Sequence, residues 1–271
     1  MVPDLQPRSG ITRLKQCRHG PMLFLGRDRY LGRSLDLYGE YSEAEIAIFS
    51  GIVKPGDTVV ELGSNIGAHT IPLARMVGPE GTVYAFEPQR VLFTILNANI
   101  ALNDVFQVRA FRGGAGRESG LMKVPFLDYA AEANFGGISL AKSGPGEDVP
   151  VSRVDAFGFS ALHLLKADVE GMETDIIAGA RETIRRCRPA IYVENDRKDR
   201  SPGLIALLGE LGYDMWWHIP MLFNPDNFAK HPENVFGGTV SINLLCHPKE
   251  KGVKVPQLRV VAGPGDWWNI S

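Results

Sequence analysis

Cysteine is scarce in this chain, and the few present stand far apart: Cys17, Cys187 and Cys246. An odd, widely spaced trio supplies neither a disulfide framework nor a zinc site, so a reducing, cytoplasmic setting is expected. Neither sign of charge is in excess. A formal net charge of −2 leaves no basic footprint for nucleic acid or an anionic membrane surface. No apolar run approaches the roughly 20 residues needed to cross a bilayer. The N-terminal MVPDLQPRSG has neither the charged nor the apolar region of a signal peptide. Internal repeats and low-complexity tracts are missing too. What remains is an ordinary globular composition over 271 residues, 44% hydrophobic and 22% charged, enough for one large domain with a sizeable core.

The chain reads as a single domain over 1–271. Residues 1–41 form an N-terminal extension in which PMLFLGRDRYLG is a hairpin turning at Gly26–Asp28. Ser42 is a plausible N-cap for the helix that follows, and Glu43 and Glu45 suit its first turn. From Asp57 onward strands and helices alternate. Strands are expected over 57–62, 82–86, 106–111, 162–167, 190–193, 213–218 and 239–246. Helices are expected over 65–77, 88–102, up to 184, and over 201–211. This alternation predicts an α/β sheet, largely parallel, with helices on both faces and ligands beyond the C-terminal strand ends. Two stretches break the rhythm: the glycine-rich 113–152, read as an inserted lid, and 220–238. The tail, 247–271, carries Trp267-Trp268 and is expected to pack on its own domain or on a second copy in a homodimer.

The stretch VVELGSNIGAHT holds the first chemical signal. Glu61 closes an apolar strand, and Gly63, Ser64, Asn65 and Gly67 lead into a helix. Gly63 allows a backbone conformation that few residues adopt and a close approach by a ligand. A dinucleotide fingerprint fails because position 65 is Asn, and a phosphate-binding loop fails for want of its lysine. An acid where phosphate would sit suits the ammonium of an amino-acid moiety instead. The second strand ends in Phe86-Glu87-Pro88, and Glu87 follows Gly67 by 20 residues, the place and spacing of a ribose-binding acid. A ligand with an amino-acid end, a nucleoside end and no phosphate is S-adenosylmethionine.

VVELGSNIGAHT, YAFEPQ, LLKADVEGMETDIIAGA, RPAIYVEND and LGYDMWW, in that order, resemble the FkbM family of S-adenosylmethionine-dependent methyltransferases over roughly 41–246. The resemblance implies a Rossmann-like class I methyltransferase fold, seven-stranded with the last strand antiparallel. It also implies methyl transfer, usually to a hydroxyl of a small molecule, sugar or natural-product scaffold, and places Gly113 and Gly114 where the family closes over the adenine. Glu61 stands for the more usual Asp, Ser64 for Ala, and Val154-Asp155 for Leu-Asp. None of these departures disturbs the cofactor reading, which takes in Glu61, Gly63, Ser64, Asn65, Gly67, Glu87, Pro88, Gly113, Gly114 and Asp168.

Methyl transfer to a hydroxyl needs the acceptor aligned and its proton removed. Asp168, Glu194 and His218, each at the end of a strand, are the candidate catalytic groups. Lys166 reads as a buried-stem lysine able to pair with an acid, and His69 as a packing residue. Asp168 with Glu194-Asn195 forms an oxygen-rich group suited to a divalent cation such as magnesium. Aromatic side chains in the two long loops (Phe126, Tyr129, Phe135, Phe223, Phe228, Phe236) suit an apolar or sugar-like acceptor. Three alternatives stand beside O-methylation: N-methylation of a small-molecule amine, a non-catalytic cofactor-binding module, and, more weakly, a nicotinamide dehydrogenase. Nucleic-acid substrates are disfavoured, because the fourth strand reads KADVEG where base-amine methyltransferases carry Asn-Pro-Pro-aromatic.

Overall fold

The computed structural model describes residues 10–268; residues 1–9, the segment read above for a signal peptide, and 269–271 lie outside the described residues. In chain order the elements are β1 (Thr12–Cys17), β2 (Gly20–Leu25), α1 (Leu31–Tyr38), α2 (Glu43–Ser50), β3 (Thr58–Leu62), α3 (Thr70–Val77), β4 (Thr82–Phe86), α4 (Arg90–Leu102) and β5 (Val108–Phe111). Then come β6 (Gly114–Ala115), β7 (Gly120–Val124), β8 (Glu147–Ser152), β9 (Leu164–Ala167), α5 (Glu173–Gly179), α6 (Arg181–Cys187) and β10 (Ala190–Glu194). The chain closes with α7 (Ser201–Glu210), β11 (Tyr213–His218), β12 (Asn243–Pro248) and β13 (Arg259–Val260).

The main sheet has the order β13-β11-β12-β10-β9-β3-β4-β5. The strands from β5 to β10 pair in parallel, and β12 runs antiparallel between β10 and β11. This is the expected seven-stranded Rossmann-like sheet with its last long strand reversed. The two-residue β13 adds an eighth strand at the edge of β11. The central strands read VV, LL and AIYV because both their faces are covered. One apolar cluster packs α1–α4 and the β1–β2 hairpin on one face, around Phe24, Phe49, Leu73 and Leu96. A second packs α5–α7 on the other, around Ile176, Ile184 and Leu204. Helix α4 shows the required periodicity, burying Leu92, Ile95, Leu96, Asn99 and Ile100. Its one polar member, Asn99, exchanges hydrogen bonds with the Leu23 backbone and donates to the Ile66 carbonyl, which ties the hairpin to the loop after β3.

Strand order turns about between β3 and β9, since β4 and β5 lie on one side and β10 on the other. Crevices open beyond the carboxyl ends of such strands. Here the ends are drawn together: the amides of Gly63 and Ser64 both donate to the Phe86 carbonyl, and that of Asp168 donates to the Leu62 carbonyl. Gly63 has φ +82°, and a Cβ there would lie 1.8 Å from the Asp168 carbonyl oxygen. Its glycine requirement therefore comes from a neighbouring strand end rather than from a ligand. Gly67 has φ +93°, and a Cβ there would meet only the tip of the Leu96 side chain, at 2.9 Å, so its requirement is the left-handed backbone.

Several boundaries differ from the sequence reading. PMLFL is the second strand of its hairpin, not the first, and the turn is Arg18-His19; Gly26–Asp28 leads into α1, where Asp28 accepts the amides of Tyr30 and Gly32. Ser42 holds the N-cap position with φ +51° and no side-chain cap. Helix α3 begins at Thr70, so residues 63–69 are loop. The stretch 113–152 is not a free lid. It folds the three-stranded sheet β6-β8-β7, and its connecting segment is anchored by Phe135, whose amide donates to Asp28 and whose carbonyl accepts Gln89 Nε2. The tail packs on its own domain, with Trp267 edge-on to Trp217.

Gly63→Ala combines left-handed strain of about 1–2 kcal/mol with a backbone overlap of about 1–3 kcal/mol, so a loss of about 2–5 kcal/mol is expected. Gly203→Ala, in exposed helix with nothing within 4 Å, should gain about 0.5–1 kcal/mol. Denaturant melts of both variants check this contrast.

Candidate active site

The crevice above β3, β4, β9 and β10 is a cavity of about 410 Å³. Its floor is made by side chains at the strand ends, as required of a parallel sheet whose residues leave the ladder together. Glu61, Gly63, Ser64 and Asn65 come from the end of β3 and the loop after it, and Glu87 from the end of β4. Asp168 and Glu170 follow β9, while Glu194 and Asp196 come from β10. A narrower cleft continues from it, lined by Phe86, Pro88, Gly113, Gly114, Ile138 and Met172. Glu87, Gly63 and Asp168 stand on both.

Glu87 is buried at the junction. Its Oε2 accepts the Asn65 amide and its Oε1 the Gln89 amide, each at 2.8 Å. These bonds fix the carboxylate's plane and leave each oxygen a further acceptor site. Burial pushes its pKa up to about 7. Glu61 is buried too, with Oε2 accepting Thr70 Oγ1 at 2.6 Å and Oε1 4.0 Å from Lys166 Nζ. Lys166 also lies 3.5 Å from Asp168 Oδ2. Ser64 Oγ donates to the Glu61 carbonyl. Gly67 lies outside the cavity lining, and its role is the turn into α3.

Asp168, Glu170 and Glu194 each bring one carboxylate oxygen within 4.8 Å of the others. Glu170 Oε2 accepts Arg197 at 2.9 Å, whereas Glu194 Oε2 is sealed and has no partner. Burial, then the charges of Asp168 and Glu170, holds the Glu194 carboxyl well above the usual range. Glu170 thus takes the place expected of Asn195, whose side chain is buried and donates to Ser201 Oγ at 2.8 Å.

His218 does not reach the cavity. Its Nδ1 is hydrogen-bonded to Tyr192 Oη at 2.7 Å in the interior, and burial drops its pKa to about 4. Because it stands away from the cavity, it leaves the set of candidate bases. The loop aromatics are absent from the cavity as well: Phe135 is in the main core, and Phe223 and Phe236 pack around Tyr38. The lining of the wide cavity instead includes the polar side chains of Tyr41, Asn134, Thr239, Ser241 and Asn243. Two residues of that lining, Glu45 and His69, had only helix-dipole and packing roles in the sequence reading. Their burial is visible only once α2 is laid across the start of α3.

Comparison with known proteins fits this geometry. The Methyltransferase FkbM domain matches residues 61–215, more than half of the chain. The chain belongs to the FkbM methyltransferase family. Methyltransferase 1 of Beauveria bassiana (strain ARSEF 2860) is 30% identical over 148 residues, 46% of this chain and 59% of that protein. Methyltransferase sdnD of Sordaria araneosa is 26% identical over 192 residues, 58% of this chain and 73% of that protein. The match thus spans less than two thirds of the first relative's length. The crystal structure of Methyltransferase FkbM from Methylobacillus flagellatus KT aligns with a TM-score of 0.45 at 15% identity, covering 74% of this chain and 50% of that one. FkbM methyltransferases use S-adenosylmethionine, and the residues here fit it. The narrow cleft has apolar walls for an adenine, and Glu87 at its mouth has acceptor sites for a ribose diol. Glu61 and Lys166 beside it offer opposite charges for an amino-acid end.

Glu87→Gln keeps the shape and removes the charge, which should cost about 1.5–3 kcal/mol, roughly ten- to hundredfold in affinity for S-adenosylhomocysteine. Ribose hydroxyls favour the ionised carboxylate, so wild-type affinity should weaken as pH falls through about 7, and this dependence should shrink in the variant. Titration calorimetry across pH checks both.

Proposed function

We propose that this FkbM protein transfers a methyl group from S-adenosylmethionine to a hydroxyl of a small, polar, hydroxylated molecule such as a sugar or a natural-product scaffold. The observation that carries this reading is that the fitted cofactor residues and a half-exposed carboxylate meet over one cavity. Asp168 borders both the narrow cleft and the wide chamber, and its side chain is 42% exposed. Bound at the cleft, S-adenosylmethionine supplies an electrophilic methyl on a sulfonium. Asp168 holds the acceptor hydroxyl in line with it, and the Lys166 ammonium fixes the carboxylate from below. Positioning of this kind is worth several kcal/mol of barrier. The polar wall of Thr239, Ser241 and Asn243 supplies hydrogen bonds to the rest of the acceptor. The chamber's volume is that of an ordinary small-molecule site.

A variant of this reading has Asp168 hold the hydroxyl through a divalent cation. It is favoured by the sealed, unpartnered Glu194 Oε2 next to Asp168 and Glu170. This all-oxygen donor set suits a hard ion such as magnesium, which would neutralise the crowded carboxylates and lower the acceptor's pKa.

The acceptor is found by incubating the protein and labelled S-adenosylmethionine with fractionated host extract and identifying the labelled product. An O-methylated small molecule is expected. A labelled amine would convert the reading to N-methylation, and cofactor binding without any labelled product would favour a non-catalytic module. With the acceptor in hand, Asp168→Asn should lower turnover by about a hundredfold or more while changing cofactor affinity far less. If the cation takes part, chelator should abolish activity and magnesium restore it. Full turnover by the Asp168→Asn variant would remove Asp168 from the mechanism.

A further inference from the structure

His69 stands at the start of α3, lines the wide cavity but not the narrow cleft, and is 6% exposed. Phe49 meets its ring edge-on at 5.6 Å, and Tyr41 lies against it at 5.9 Å, so the imidazole is held in one plane. Its Nε2 is sealed from solvent, makes no hydrogen bond, and lies 3.8 Å from Glu45 Oε2. Nδ1 makes no hydrogen bond among the described residues and is not one of the sealed atoms, so it is the ring nitrogen open to the cavity. Glu45 is itself buried, on α2, and its Oε1 accepts Asn243 Nδ2. A carboxylate behind a histidine, with the other ring nitrogen facing a chamber, is the arrangement of a base and its orienting group. Packing alone does not require it, because an apolar ring would fill the same place without leaving a buried nitrogen unpaired.

We infer that His69, oriented by Glu45, is the group that takes the proton of the acceptor hydroxyl, with Asp168 holding that hydroxyl from the opposite side. The inference rests on the methyl-transfer reading of this cavity. The hydroxyl proton passes to His69 Nδ1, and an electron pair of the oxygen forms the O–methyl bond. The pair of the broken sulfur–methyl bond stays on sulfur, and the imidazolium returns its proton to water through the open chamber. Burial, and then the Lys166 charge, holds the imidazole neutral in the resting protein, the form able to accept a proton. Glu45, placed to draw Nε2–H, stabilises the imidazolium once it forms, and its 3.8 Å separation has room to tighten as the acceptor seats.

Two measurements test this. The first needs no turnover: nitrogen-15 spectra of histidine-labelled protein with S-adenosylhomocysteine bound. One histidine should show a protonated Nε2 and a bare Nδ1; its signals should vanish in the His69→Gln variant and shift in the Glu45→Gln variant. A protonated Nδ1 on His69 overturns the inference, as does a spectrum unmoved by Glu45→Gln. The second uses labelled S-adenosylmethionine with the extract fraction that the wild-type protein labels. His69→Ala should cut labelling at least a hundredfold while S-adenosylhomocysteine affinity stays within about threefold, and added imidazole should restore part of it. Labelling within threefold of wild type overturns the assignment, and so does an intact, cofactor-binding variant that imidazole does not rescue. If the wild-type protein labels nothing, the methyl-transfer reading fails, whereas loss confined to the His69→Ala variant bears on the base alone.

Discussion

A lysine buried in the middle of a parallel sheet is the constraint on which the site depends. Lys166 is 2% exposed on β9 and stands directly across from Glu61 on β3. Removing an ammonium from water costs several kcal/mol unless opposite charges surround it. Here they do. Burial acts to lower its pKa, yet Asp168, Glu61, Glu45 and Glu194 together hold it above the ordinary lysine value. The same ammonium lets these carboxylates crowd one end of the sheet. It pulls against the burial that raises the carboxyls of Glu61 and Glu45.

The fold supplies this charge cluster with a place to act. Strand order turns about beside β9, and the backbone bonds from Gly63, Ser64 and Asp168 pull the ends of β3, β4 and β9 into one floor. The cofactor cleft opens towards β5 and the small β6–β8 sheet. The wide cavity is bordered instead by α2 and the segment before β12. Three acidic side chains, Glu87, Asp168 and Glu170, border both. The sheet thus gathers these carboxylates where the two spaces meet, and the strands that carry them fix their positions.

Much of this was legible in the chain. Alternating apolar runs gave the sheet and its helices, with β11 read to the residue as 213–218. The acid before Gly63 and the acid after β4 were legible as neighbours at one crevice, because their spacing is imposed by one strand–helix–strand unit. Other features hid where local signals compete. Gly26 looks more like a turn than Arg18-His19, so the first hairpin slipped. Exposed strands in 113–152 carry glycines and a proline, and read as loop. His69 and Glu45 could not be paired, because an acid in a helix's first turn already has a sufficient local reason. His218 misled for the opposite reason: the end of its strand lies at the sheet's far side, away from the turnabout.

The most direct test of the account is a crystal structure with S-adenosylhomocysteine bound. The account predicts the adenine in the cleft beside Gly113 and Gly114, the ribose hydroxyls on Glu87, and the amino-acid end against Glu61 and Lys166, leaving the chamber in front of His69 open. A ligand whose ribose lies beyond hydrogen-bond reach of Glu87, or that fills the chamber in front of His69, would contradict it.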